Sequence, residues 1–147
     1  MAYPPGTNLY FPFLSKIYDT LEPYGYAFLR FATGIVMAGF GARKLLTPGG
    51  AQPDIDIMAQ IGFTPAIFWA YLVITLELVG GLAIAAGLLT RVFSAMFVGM
   101  MLVILALVML PRGAGYELSV VWLGAFTYLT LRGSGALSLD RLIGREI

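Results

Sequence analysis

Apolar positions run through this chain in four long stretches separated by short polar turns. The clearest is residues 66–90, AIFWAYLVITLELVGGLAIAAGLLT, unbroken by charge except at Glu77. An α-helix rises ~1.5 Å per residue and a bilayer core is ~30 Å thick, so a helix over 66–89 spans a membrane once. Thr64 is placed to cap that helix and Pro65 to take its first position, where a missing N–H costs nothing. Comparable runs predict crossings at 24–42, 92–110 and 116–131. Ahead of them Tyr10, Phe13, Leu14, Ile17, Tyr18 and Leu21 recur at helical spacing, with Pro12 in the first turn and Glu22-Pro23 as a stop. That pattern gives residues 1–23 a short amphipathic helix, lying along the headgroups or packed on protein. Between the first two crossings, PDIDIMAQI at 53–61 is too short to span. With Asp54 and Asp56 in its first turn, it forms a small helix capping the bundle. The turn at 88–91 is so short that the second and third crossings run antiparallel side by side. Residues 133–147 form a tail in which Ser138 caps one helical turn, with Arg141 and Arg145 exposed. The expected architecture is an all-α, integral membrane four-helix antiparallel bundle with a short N-terminal interfacial amphipathic helix.

Composition agrees. The 147 residues are 59% hydrophobic and 12% charged, with a mean hydropathy of +0.86, outside the range of soluble domains. The crossings and turns consume the length, leaving one domain in a lipid bilayer. A net charge of +1 from scattered Arg and Lys offers no clustered basic face, so no nucleic acid partner is expected. The chain has neither cysteine nor histidine. Disulfides, thiol redox chemistry, iron–sulfur ligation and haem attachment are thereby excluded, and no metal site is expected. Met96, Met100, Met101 and Met109 read as adaptable packing, not as a copper site. The start of the chain has no basic, apolar, small-residue order of a removable signal peptide. Lys16, Arg91, Arg132, Arg141 and Arg145 outnumber Arg43, Lys44 and Arg112 across the membrane, which predicts both termini in the cytoplasm of a bacterial-type inner membrane.

Charges inside the apolar runs are the candidates for chemistry. Arg30 lies ~9 Å inside its helix and Glu77 ~16 Å from the same border, so two long side chains on neighbouring helices reach each other. The small-residue strip Gly34, Ala38 and Ala42 favours that neighbourhood. An Arg30–Glu77 pair is therefore expected, either as a structural clamp or as the lining of a polar pocket where one member meets a ligand or changes protonation. At the opposite mouth Lys44, Arg43, Glu117 and Arg112 share one level and predict an outer polar cluster, with Trp69, Tyr71 and Tyr116 as a pocket wall.

The run LELVGGLAIAAGLLTR from Leu76 to Arg91, together with Arg30 ahead of GIVMAGFGARKL and the closing GALSLDR, resembles the DoxX-like membrane proteins. The resemblance covers about Phe28 to Arg141 and implies a four-helix bundle. Arg30, Lys44 and Glu77 correspond to recurring polar positions of that family, and Glu117 to a polar residue at the start of its last helix. Phe40 stands where family members commonly carry histidine. Members are linked to membrane oxidoreductases, including the membrane subunit of a thiosulfate:quinone oxidoreductase. The resemblance thus implies a quinone-associated subunit of a larger membrane redox assembly, with other membrane subunits as partners and no catalysis by this chain alone. In that role Arg30 or a tyrosine hydroxyl donates to a quinone carbonyl and Glu77 exchanges a proton. Two other roles fit the same residues: a small-solute or proton-coupled carrier that titrates Glu77, and a purely structural accessory subunit.

Overall fold

A computed structural model of the chain describes residues 11–113 and 115–144, and every regular element among them is helical. Tyr10 and Arg145, invoked above for the N-terminal helix and the charge bias, lie outside the described residues. Helix α1 is Ser15–Leu46, entered through a short 3-10 turn at Pro12–Leu14. The capping helix α2 is Gln52–Gln60. Helices α3 (Ala66–Ala86) and α4 (Thr90–Arg112) follow, then α5 (Tyr116–Arg132) and the short α6 (Leu139–Ile143). By length and apolar composition α1, α3 and α4 suffice to cross a membrane. Helix α5 has 17 residues, the short end of the spanning range of ~17–25.

Two boundaries differ from the sequence pattern. The expected break at Pro23 is absent, and the N-terminal amphipathic segment is the first part of one 32-residue helix. Proline removes a single helical hydrogen bond. Here Glu22 on one side of it pairs with Arg132, and Tyr26 on the other donates its hydroxyl to the Gly133 carbonyl, so tertiary contacts flank the gap and the helix continues through it. At the start of α3 the cap is Pro65, extended at ψ 130°, and Ala66 takes the first helical position that Pro65 was expected to fill.

Lipid-facing helices gain little from hydrophobic exclusion of one another, so close contact must come from shape. Helices α1 and α3 achieve it backbone to backbone. A Cβ placed on Gly34 would lie 2.4 Å from the Ala85 nitrogen, on Gly81 2.5 Å from the Ala38 nitrogen, and on Gly41 2.6 Å from the Leu78 nitrogen. The strip is therefore Gly34, Ala38 and Gly41, with Gly41 in the place expected for Ala42. Helices α4 and α5 meet through aromatics: Phe97 and Phe126 stack at 4.5 Å between ring centroids, and Trp122 stacks on Phe126 at 5.9 Å. Phe93 and Phe97 also lie against Gly80, which brings α4 onto α3. Outward, Phe28, Phe31, Val79, Leu82, Leu102, Leu107, Val121 and Leu131 are all exposed, an apolar exterior suited to a bilayer.

Candidate functional site

Between α2, α3 and α4 lies a cavity of about 420 Å³. Its walls are Phe63, Trp69, Leu72, Val73, Leu76, Val103, Ile104 and Val108, with Met58, Met96, Met100 and Met109 filling between them. The floor at Gly99 carries no side chain, and a Cβ built there meets nothing within 4 Å. Phe63 and Trp69 stand edge to face at 5.2 Å, fixing one apolar wall.

One end of the cavity is polar. Lys44 Nζ donates to Asp54 Oδ1 at 2.8 Å and lies 2.9 Å from each oxygen of Glu77. The three side chains are 20%, 14% and 9% exposed respectively, so this is a largely buried triad of one cation and two anions. Its position follows from the chain. Lys44 lies in the last turn of α1, where the helix dipole favours a cation, and Asp54 in the first turn of α2, where it favours an anion. Glu77 lies in a π-helical turn, Leu76–Gly80, inside α3. A second π turn, Ile104–Met109, faces it across the cavity in α4. Such turns widen a helix locally and free it from regular register, and they concentrate at functional sites.

The expected Arg30–Glu77 pair does not form. A Cβ on Gly87 would lie 2.8 Å from the Arg30 guanidinium, so Arg30 is level with the end of α3, ten residues or roughly 15 Å along that helix from Glu77. Arg30 instead donates to the carbonyls of Ser134 and Leu137, the latter at 2.6 Å. The tail is tied down further by Asp140, which accepts from the Leu89 amide at 3.0 Å and donates its own amide to the Gly87 carbonyl at 3.0 Å. Ser138 caps α6 as expected, accepting from the Arg141 amide. Arg141 is exposed.

The outer cluster also dissolves into separate contacts. Lys44 turns inward to the triad, Arg43 lies over the Phe40 ring at 5.6 Å, and Arg112 reaches Gln60 at 3.5 Å. Glu117 is exposed and makes no ion pair among the described residues. Of the expected wall, only Trp69 lines the cavity. Tyr71 lines a neighbouring apolar groove of about 530 Å³ between α3 and α4, and Tyr116 is 42% exposed. Groove and cavity share Leu72, Leu76 and Met96, so the two spaces meet at those side chains. Asp54 was legible only as a dipole partner of its own helix. Its spacing of ten residues from Lys44 across a Gly-Gly turn was the available signal for the ion pair.

These features define a helical membrane protein with an internal apolar cavity closed at one end by a buried ion triad. Residues 25–110 match the DoxX family model, and the chain belongs to that family. The matched region contains Lys44, Asp54, Glu77 and every residue of the cavity wall. Over 132 residues the chain is 31% identical to the inner membrane protein YqjF of Escherichia coli strain K12, covering 86% of this chain and 97% of YqjF. Over 121 residues it is 30% identical to the Bacillus subtilis strain 168 protein named "Putative oxidoreductase CatD", covering 81% of this chain and 87% of CatD. No solved structure matches.

Proposed function

We propose that this chain is an inner-membrane subunit of a redox assembly whose interior cavity receives a quinone-class ring from the bilayer. The observation that carries the reading is the cavity of about 420 Å³, apolar along its length and closed by Lys44, Asp54 and Glu77. Small-molecule sites are typically ~300–1,000 Å³, mostly apolar, with a few converging polar groups, and this one has that form. The name of CatD and the inner-membrane placement of YqjF agree with the proposed setting.

The residues present fit such a group. A flat ring lies along Trp69 and the flexible methionines, which adapt to ring substituents. A bound quinone would supply two-electron carrier chemistry, with electrons passed to or from a partner subunit. Lys44 orients a ring oxygen by donating to it. Glu77 exchanges a proton at the same end, and the surrounding apolar wall excludes water. Leu72, Leu76 and Met96 give the ring a route from the acyl chains, where such molecules dissolve.

The test is a cavity-filling substitution. Gly99→Leu places a side chain in open space and removes a helix-interior glycine, worth ~1 kcal/mol in favour of the helix. Protein purified in detergent and placed in nanodiscs of quinone-free synthetic lipid should carry extractable quinone, and Gly99→Leu, folded equally well, should carry none. Equal quinone content in the two, or none in either, defeats the reading.

A further inference from the structure

The triad has more hydrogen-bond acceptors than donors. An ammonium group has three N–H donors, whereas each carboxylate accepts at about four lone-pair positions. Lys44 spends one N–H on Asp54 Oδ1 and another on the Glu77 carboxylate, which it meets at 2.9 Å from both oxygens. One N–H remains for a ligand, against several open acceptor positions on Asp54 and Glu77. The formal charge of the group is −1, held where the side chains are 9% to 20% exposed. Water screens such a charge poorly, and any entering group must supply protons to the open oxygens or leave them unsatisfied.

From this imbalance we infer that the cavity selects a hydroxylated aromatic ring, the hydroquinone form of its ligand, over the carbonyl form, and rejects anions. The inference rests on the reading of the cavity as a quinone-class site and names which member of the redox pair that site prefers. A carbonyl oxygen only accepts and competes for the single remaining Lys44 N–H. A phenolic hydroxyl donates to Glu77 or Asp54 and can accept from Lys44 with the same oxygen. A carboxylate brings a second surplus negative charge into a buried space. Because binding stabilises the reduced member more, the bound pair is easier to reduce than the free pair.

Trp69 lines the cavity and Trp122 does not, so indole emission reports on occupancy. Three brominated probes differ only in their polar end: 4-bromophenol, 4-bromoacetophenone and 4-bromobenzoate. Each is titrated into the full chain in nanodiscs, with Trp69→Phe as the control for quenching elsewhere. 4-Bromophenol should quench saturably with a Kd about tenfold below that of the ketone, the value of one charge-assisted hydrogen bond, and the benzoate should show no saturable quenching. Asp54→Asn and Glu77→Gln each replace an acceptor with a donor and should bring phenol and ketone towards parity. Equal or reversed affinities in the unmodified protein, or a preference untouched by both substitutions, overturns the inference and leaves the cavity reading standing. Absence of saturable quenching by all three probes overturns both.

Discussion

A side chain on Gly34 would collide with the backbone of Gly81, since its Cβ would lie 2.5 Å from that carbonyl oxygen. The contact sets the register of α1 against α3, and the register decides which charges meet. With Gly34 at Ala85 and Gly41 at Leu78, the end of α1 that bears Lys44 is brought to Glu77, and the level of Arg30 is brought to Gly87.

Gly34→Ala should therefore be costly. The atoms in the way are backbone and cannot rotate aside, so the helices must part, at roughly 1–3 kcal/mol. Gly39, five residues further along the same helix and with nothing within 4 Å, supplies the control: Gly39→Ala should be neutral or slightly stabilising. Unfolding midpoints of the two variants in one detergent decide the matter, and equal midpoints refute backbone contact as the source of register.

Lys44→Met removes the only cation of the triad and leaves Asp54 and Glu77 facing each other in a largely buried site. The expected loss is roughly 3–5 kcal/mol, because each carboxylate keeps its desolvation cost without a partner. Adding Glu77→Gln to Lys44→Met should recover part of that loss, so the double variant unfolds later than Lys44→Met alone. Additive penalties in the thermodynamic cycle would show that the two side chains do not interact.

Arg30 anchors two carbonyls of the tail, and Asp140 closes the α3–α4 turn, where Leu89 holds the left-handed backbone at φ 48°. Arg30→Met should release the segment between α5 and α6 at roughly 1.5–3 kcal/mol while the helices of the bundle stay paired. Hydrogen exchange reads this directly: the amides of Asp140 and Leu89, both bonded across the contact, should lose protection while those of α3 and α4 keep theirs. Unchanged protection at both amides would mean that Arg30 is not the anchor.

Four apolar runs, their turns and the Ser138 cap were readable in the sequence, because each depends on residues near one another along the chain. Helix periodicity and turn chemistry are local, and membrane insertion rewards apolar length whatever the partners are. Two of the three stretches that carried the family resemblance, the run ending in GLLTR and the closing GALSLDR, were also visible, though not that Asp140 of one bonds to Gly87 and Leu89 of the other.

Depth along a helix was legible, but the partner at that depth was not. Arg30 and Glu77 were expected to meet because each was measured from an assumed membrane border, whereas α1 begins at Ser15 and its contact with α3 is set by where glycines let two backbones touch. That choice is made by steric fit among residues some fifty positions apart, and no local pattern encodes it. Sequence determined that two charges, Arg30 and Glu77, would have to be neutralised inside an apolar bundle; tertiary packing alone decided that Lys44 would serve Glu77, with Asp54 from the capping helix, and that Arg30 would serve the tail.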